Sequence, residues 1–493
     1  MVKTAEKHIA SLDDGRTLYI DSQRVKNVVA HPAFRNTAKS AAALYDYQAA
    51  DANIERMTFE SPTSRDRVNK LWQLPRNYKE LVDRRKAMTE WAELSCGMMG
   101  RSPDHVGSSL AGMYMGLDVF ENYDPRRAAA LRDYYQYARD ADLYLSYVII
   151  NPQADRSKSA GDQPGADLVA SVVDEDSEGI TIRGAKMLGT GAPFANELMV
   201  SGFMGLQAGE ERFAFTAMVP IGAPGVKIFS RKSYEQASTS VFDNPLSSRF
   251  DENDAVLYFD DVKIPWDRVL VNQDLEMSQA QWHDTRAHVV QNYQCQVRLA
   301  VKLRFLLGIA RKVCEINGII KIPQVRDTLG SLAAKAKNIE ALMFAMESAG
   351  ERYGEYFVPN RSILATSQVI AQTLYPEVVD AIRTLAGGGL IMLPSAASDF
   401  HDPEFRDVID KTQRSPVAGS LERVKFFKLA WDAIGSEFGS RHTQYEMFYS
   451  GPAFITRGHS YRFYDWDNVR GMVDQLMDTY DLPEIDPTDS GAE

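Results

Sequence analysis

The sequence predicts an α+β multidomain protein: a helical N-terminal domain over residues 1–145, a central β-barrel or sandwich domain over 146–272, a C-terminal helical bundle over 273–480 and a flexible tail over 481–493. Three observations lead there. Apolar residues recur at helical spacing through the first stretch. Short β-rich runs cut by turn residues follow it. Long amphipathic periods then return beyond Met277.

In the first segment, residues 78–96 place Leu81, Val82, Met88, Trp91 and Leu94 close to helical spacing, and 127–150 gives a second long helical run rich in Ala, Leu and Tyr. The stretch 151–161 reads as loop from its Asn, Pro, Asp, Ser and Gly content. The runs 168–173, 180–183, 198–203, 213–219, 226–229 and 255–259 are separated by Gly, Pro, Asp or Asn, the texture of a compact β-domain. Helical periodicity resumes in 297–320 and 325–353, where Leu329, Leu332, Ala336, Ile339, Met343 and Met346 form one stripe, and again in 421–448. Bundle helices longer than about 20 residues often bury more apolar surface than one chain covers, which points to a homo-oligomer. The tail after Leu482 is acidic and turn-rich, and is expected to fray.

Composition narrows the function classes. The 493 residues carry 55 Lys and Arg against 67 Asp and Glu, a formal net charge of −12. That balance argues against binding nucleic acid or an anionic membrane by net attraction. No window approaches about 18 consecutive apolar residues, so no transmembrane helix is expected. The first residues lack the apolar stretch of a secretory signal. Only Cys96, Cys295 and Cys314 are present, too few for a disulfide framework, and the expected compartment is the cytoplasm.

Familiar motifs are missing: there is no Walker A sequence, no H-E-x-x-H and no zinc spacing. The glycine fingerprint of a dinucleotide fold is also missing, since Gly184 leads into further β-like sequence. Gly387, Gly388 and Gly389 read best as a helix end and turn. The most polar-dense stretch is Gly100-Arg101-Ser102-Pro103-Asp104-His105, where Pro103 breaks the preceding helix. Arg101 offers a planar fork for a carboxylate or phenolate and His105 can exchange a proton near neutral pH. A capped helix end with a surface Arg101–Asp104 ion pair fits the same spacing. Residues 143–156 read as an apolar-aromatic helix ending in polar groups able to hold a planar cofactor, or as core plus an exit loop. Gly189-Thr190-Gly191 is either a close backbone approach to a ligand or a simple tight turn. His283 and His288 precede the long bundle helix, where a lone histidine is usually structural. Cys96, His288 and Cys295 are potential soft-metal ligands without a recognisable spacing.

Four blocks carry a resemblance. They are Leu12-Asp13-Asp14-Gly15-Arg16 with His31-Pro32-Ala33-Phe34-Arg35-Asn36; the 99–104 run; the long block 245–254 continuing through Ile264-Pro265-Trp266; and 431–439 with Tyr449-Ser450-Gly451. Over about residues 10–480 the sequence resembles the oxygenase component of two-component, FAD-dependent 4-hydroxyphenylacetate 3-hydroxylases. The resemblance implies an acyl-CoA-dehydrogenase-like fold, usually tetrameric, and a reduced-flavin-dependent aromatic monooxygenase working through a C4a-hydroperoxyflavin. Reduced FAD would come from a separate NAD(P)H:flavin reductase, O2 would be the oxidant, and no metal would be needed. The flavin would contact Tyr147, Val148, Ile149, Gln153, Arg156 and Thr190, with Tyr449, Ser450, Gly451 and Pro452 closing over it. A small aromatic substrate would meet Arg101, Ser102, Pro103, Asp104 and His105, with Arg101, His105, Tyr147 and His288 as the catalytic groups. The family's phenol-handling positions usually hold Tyr where this chain has His105, and His where it has Tyr147, so the pair looks exchanged rather than deleted. Two other readings stand beside this one: a flavin and iron–sulfur enzyme like 4-hydroxybutyryl-CoA dehydratase, and a non-catalytic flavin-binding helical scaffold.

Overall fold

A computed structural model describes residues 2–165, 167–202 and 205–482; residues 483–493 of the expected tail lie outside the described residues, as does Phe203 at the end of the 198–203 run. The chain is a mixed α/β protein of several layers. Two open sheets form its middle. The larger runs in the order Gln23–Val25, Thr17–Ile20, Val226–Ser230, Ala255–Pro265, Gly179–Lys186, Ser171–Glu175, and the smaller in the order Val269–Val271, Thr216–Pro220, Glu197–Ser201, Leu145–Val148. Ile182 and Leu257 of the larger sheet and Leu198, Val200 and Val219 of the smaller belong to one buried cluster. Neither sheet closes on itself, so the expected barrel is corrected to two open sheets among the described residues.

Two further expectations change. The helical run through 127–150 stops early: Pro125–Asp140 is helix, Asp142 turns the chain at φ 47°, and Leu145–Val148 is a strand. That strand pairs in parallel with Glu197–Ser201, Tyr147 opposite Met199. Only Tyr147 of its four residues is not fully buried, so no alternation marks the strand and the preceding Ala- and Tyr-rich helix masked it. The first segment is not helical throughout either. Thr17–Ile20 joins the larger sheet, in parallel with Val226–Ser230, and Thr58–Glu60 pairs with Arg67–Asn69. Three- and four-residue strands are too short to leave a periodic signal.

The helical parts match better. Tyr78–Leu94 forms where the apolar spacing placed it, N-capped by Asn77. Beyond the sheets, Ala287–Ile316 is the central rod, packed against Pro103–Met115, Pro323–Ser348 and Arg361–Ala386. The Leu332, Ala336, Ile339, Met343 and Met346 stripe is buried, as its spacing required. Arg361–Ala386 left little sequence signal, with Pro376 inside it. Gly387 ends that helix at φ 59°, which fits the helix-end reading of the triple glycine. Among the described residues no helix is long and apolar enough to cross a membrane.

The rod and the Pro103–Met115 helix meet backbone to backbone. A Cβ at Gly112 would stand 2.5 Å from the Ala287 Cα, and the Gly112 carbonyl accepts from Arg286 N at 3.2 Å. Gly112→Ala is therefore expected to lower stability by about 1–3 kcal/mol through overpacking. Gly308→Ala, with open space around it, should raise it by up to about 1 kcal/mol. Urea unfolding of both variants checks the pair, and an unchanged midpoint for Gly112→Ala would refute the close approach.

Candidate active site

Proline at the first helical position sets the site's geometry. Pro103 starts the Pro103–Met115 helix rather than breaking the one before it, because its fixed φ suits a first turn and its missing N–H is not needed there. Arg101 lies just outside that turn and His105 one turn in. Arg101 Nη1 meets His105 Nε2, and no ion pair forms with Asp104. Asp104 instead accepts from Ser102 Oγ at 2.6 Å and from Gln294 Nε2 at 3.1 Å. The surface ion pair is thus replaced by a buried carboxyl whose pKa burial raises.

Aromatic faces surround the guanidinium. The Tyr147 and Tyr445 rings each lie 5.2 Å from the Arg101 Cζ, and His105 stacks on Tyr147 at 5.3 Å and 22°. Tyr147 reaches this place because it is on a strand, opposite in direction to the core-facing Val148. Tyr445 has Arg298 at 5.2 Å and Arg441 at 5.1 Å as well, and stacks on Tyr449 at 6.0 Å. Burial, Arg101 and Arg298 push the His105 pKa well below the ordinary imidazole range. An arginine can only donate, so Nε2 accepts and the ring proton belongs on Nδ1, a buried atom with no partner in the protein.

The loop carrying Arg101 is fixed by a carboxylate. Glu252 accepts from Gly100 N at 2.8 Å and Arg101 N at 2.5 Å, and its Oε2 lies 3.8 Å from Arg441. Arg441 also grips Asp254 with two hydrogen bonds, of 3.0 and 2.6 Å, and Asp254 in turn accepts from Thr190 Oγ1 at 2.5 Å and Arg231 Nε at 2.9 Å. Burial opposes the Asp254 charge, yet Arg441, Arg231 and Thr190 hold its carboxyl well below the ordinary value. Because Thr190 gives its proton to Asp254, only its lone pairs remain for another group. Gly189 and Gly191 are explained by packing: an added Cβ would meet Leu257 Cδ2 at 2.3 Å and Tyr144 Oη at 3.0 Å. This supports the tight turn over a glycine-dependent ligand approach.

A second buried ion cluster lies behind Tyr445. Glu446 accepts from Arg298 at 2.5 and 2.9 Å and from Lys302 at 2.9 Å, and Lys302 Nζ also lies 2.9 Å from His442 Nδ1. Burial lowers Lys302 to about 8, while Arg298 and Lys302 outweigh burial at Glu446 and pull it down to about 2.

The structure therefore gathers Arg101, Ser102, Pro103, Asp104, His105 and Tyr147, and links Thr190 to them through Asp254 and Arg441. Tyr449 joins through Tyr445 and accepts from Gln296, while Ser450 Oγ is buried without a protein partner, Gly451 O accepts from Gln372 at 2.7 Å, and Pro452 precedes the Ala453–Phe463 helix. Ile149 packs at the edge of the second core cluster. Gln153 and Arg156 are not brought in: both are exposed in the loop after the Leu145–Val148 strand. His288 is not brought in either and sits with His283 and His459. Among the described residues no group of three or more His, Cys, Asp or Glu is arranged to hold a metal ion. Sequence reasoning missed Glu252, Arg441, Tyr445 and the Arg298–Glu446 pair. Only the Arg298–Glu446 cluster leaves a local signal, ionisable groups at i, i+4 on one helical face: Arg298 with Lys302, His442 with Glu446.

A buried guanidinium walled by aromatic rings, carried between open sheets and a helical bundle, fits one class: the oxygenases of flavin-dependent aromatic hydroxylation. Residues 4–271 match the 4-hydroxyphenylacetate 3-hydroxylase N-terminal family and residues 278–478 its C-terminal counterpart. The chain belongs to the 4-hydroxyphenylacetate 3-hydroxylase family. It is 35% identical to the 4-hydroxyphenylacetate 3-monooxygenase oxygenase component of Pseudomonas aeruginosa, over 97% of this chain and 93% of that one. The crystal structure of the oxygenase component of 4-hydroxyphenylacetate 3-monooxygenase complexed with FAD and 4-hydroxyphenylacetate superposes with a TM-score of 0.91 at 29% identity, over 97% and 98% of the two chains. An oxygen-tolerant archaeal 4-hydroxybutyryl-CoA dehydratase from N. maritimus shares the fold, with a TM-score of 0.88 at 18% identity over 99% and 97%.

Glu446→Gln would leave Arg298 and Lys302 buried with weakened pairing, a loss of about 3–5 kcal/mol. Its folded pKa lies below the ordinary 4.5, so the wild-type ion pair contributes fully above that pH and is lost as pH falls toward about 2. Acid unfolding of Glu446→Gln should lose this limb of the pH dependence. An acid limb identical to wild type would disprove the assignment.

Proposed function

We propose that this protein is the FADH2-utilising oxygenase of a two-component monooxygenase, that it hydroxylates a small phenolic substrate ortho to its oxygen, and that Arg101, His105 and Tyr147 handle the phenol. The observation that carries the reading is the Arg101 guanidinium held among Tyr147, Tyr445 and His105 on a loop anchored by Glu252. A guanidinium at this place holds the substrate as its phenolate, the phenol proton being given up to bulk water on binding, and the electron-rich ring is then attacked ortho to oxygen. His105, neutral and protonated on Nδ1, donates to the same oxygen rather than taking its proton. Tyr147 supplies a face against the ring and a hydroxyl. The exchanged His105 and Tyr147 thus keep one imidazole and one phenol in the pocket.

Ser450 Oγ, buried with no protein partner in the 449–452 turn, fits a hydrogen bond with a planar heteroatom-rich group. Thr190 Oγ1, the backbone of Tyr147, Val148 and Ile149, and the 449–452 turn are the groups that would hold FAD, with Gln153 and Arg156 reaching it from their loop. When bound and reduced, FAD supplies the electrons that activate O2. The residues of this chain exclude water through the Tyr445 and Tyr449 rings and fix the phenol oxygen at Arg101. Reduced flavin comes from a separate NAD(P)H:flavin reductase. The chain works in the cytoplasm as a homotetramer, supported by the exposed Met472, Val473, Leu476 and Met477 of the Trp466–Met477 helix, in which no residue is buried. On this reading the chain divides into three parts at 145 and 272 with an acyl-CoA-dehydrogenase-like layout, and the site draws residues from each of them.

Arg101→Ala should cut turnover with reduced FAD and a phenol panel by about 10²–10³-fold, with FAD binding changed little. His105→Ala and Tyr147→Phe should each raise the fraction of O2 released as hydrogen peroxide. Product and peroxide assays read this directly; wild-type coupling in both variants would sink the assigned roles.

A further inference from the structure

His288 does not touch Arg101, and its surroundings suit a different task. The rings of His283, His288 and His459 lie 5.5, 5.5 and 5.0 Å apart from one another, and no hydrogen bond or carboxylate pairs with any of them among the described residues. Three arginines share the place. Arg286 stacks on Tyr353 at 3.9 Å with its Nε buried and without a partner, Arg361 lies over Phe463 at 5.0 Å, and Arg462 acts electrostatically on His283 and His459. Most arginines in this chain hold a carboxylate, whereas these three make no ion pair among the described residues, although Asp284, Glu351 and Asp118 lie near enough to be felt. Burial and the neighbouring cations keep the imidazoles neutral, so the arginines carry the charge and the rings offer N–H groups. His288 also stands in the first turn of the long Ala287–Ile316 helix, whose positive end favours an anion, whereas the start of Arg361–Ala386 is already taken, Glu351 Oε1 accepting from Arg361 N at 3.0 Å.

The cluster is in line with the phenol site. Seven residues beyond His288, on the same helical face and about 10 Å along the axis, is Cys295, which lies within electrostatic reach of Arg101. Seven residues beyond Arg361 is Gln368, and its neighbour Ser367 donates to Gln296 at 2.8 Å, so the two helices run side by side in the same direction. Along this stretch Gln291 Nε2, Gln294 Oε1 and both amide atoms of Gln368 are buried without a protein partner. Such a row is polar on one side and leads from cation cluster to guanidinium.

We propose that His283, His288, His459, Arg286, Arg361 and Arg462 form an oxyanion site that holds the carboxylate or phosphate end of an extended phenolic substrate whose phenol lies at Arg101. This rests on the hydroxylase reading for the phenol end only. His288 is then a substrate-binding residue, not a proton acceptor.

A series of ω-(4-hydroxyphenyl) carboxylic acids of increasing chain length, their methyl esters and the matching phosphate monoesters tests it, by calorimetry on the FAD-loaded protein and by turnover. The acid or phosphate should bind at least tenfold tighter than the ester, with the largest preference where the tail spans about 10 Å. Arg361→Gln and the exposed Arg462→Gln should each lower that preference severalfold and leave ester binding within twofold. The tighter of the carboxylate and phosphate series identifies the natural end group. Equal binding of acid and ester by the wild type would overturn the site, as would variants that weaken acid and ester alike or that weaken FAD binding with the preference intact. Selective binding without hydroxylation would sink the hydroxylase reading and leave this site standing; hydroxylation of acid and ester with equal affinity does the reverse.

Discussion

The carboxylate of Glu252 is the constraint on which the site depends. It takes the two backbone N–H groups that present Arg101, and it does so from a position almost fully buried. A carboxylate there is tolerable only because Arg441 stands beside it, and Arg441 is itself held by Asp254. Asp254 passes the constraint on to Thr190 and Arg231. One chain of alternating charges thereby joins the 100–101 loop, the 190 turn and the Glu437–Phe448 helix. None of these can shift without leaving a charge unpaired in a place that water does not reach.

The same logic explains how an acidic protein keeps a buried cluster of cations. The net charge of −12 belongs to the chain as a whole, whereas the interior near Tyr445 holds Arg101, Arg298, Arg441 and Lys302 with Glu252, Asp254 and Glu446 between them. Aromatic rings occupy the remaining faces of the guanidiniums and are weaker partners than carboxylates. Arg101 is the cation left with rings and one imidazole, so its charge stays available to an incoming oxygen. On the function proposed above, preference for an aromatic oxyanion would follow from which cation is left without a carboxylate.

What could be read from the sequence follows the range of the signal. Long periodic helices such as Tyr78–Leu94 and Pro323–Ser348 were legible because many residues share one face. The Gly-Arg-Ser-Pro-Asp-His turn was legible as a place, but its contacts were not: Asp104 turned inward to Ser102 and Gln294, and Arg101 to His105. Tyr147 was named as a site residue and put on the wrong kind of element, since four strand residues after an Ala-rich helix are too few to announce themselves. Glu252 and Arg441 were beyond reach because their partners are far away in the chain, and no local pattern records who meets whom. The resemblance to a family supplied the flavin chemistry; the residues alone offered only a cationic turn and a set of histidines whose grouping depends on the bundle.

The parallel pairing of Thr17–Ile20 with Val226–Ser230 sets the order in which this chain can be made. Thr17 lies opposite Lys227, and the neighbouring strand in the sheet extends to Pro265. A polypeptide emerging from a ribosome at about 5–20 residues per second must therefore keep its first strand waiting for about 10–40 seconds. During that interval the edge groups of Thr17–Ile20 have only the short Gln23–Val25 hairpin partner. The Thr17–Ile20 strand is made early yet finds its parallel partner only when nearly half the chain has followed, a schedule that leaves early helices such as Ala5–Ala10 and Arg35–Ala49 without that sheet to pack on in the meantime.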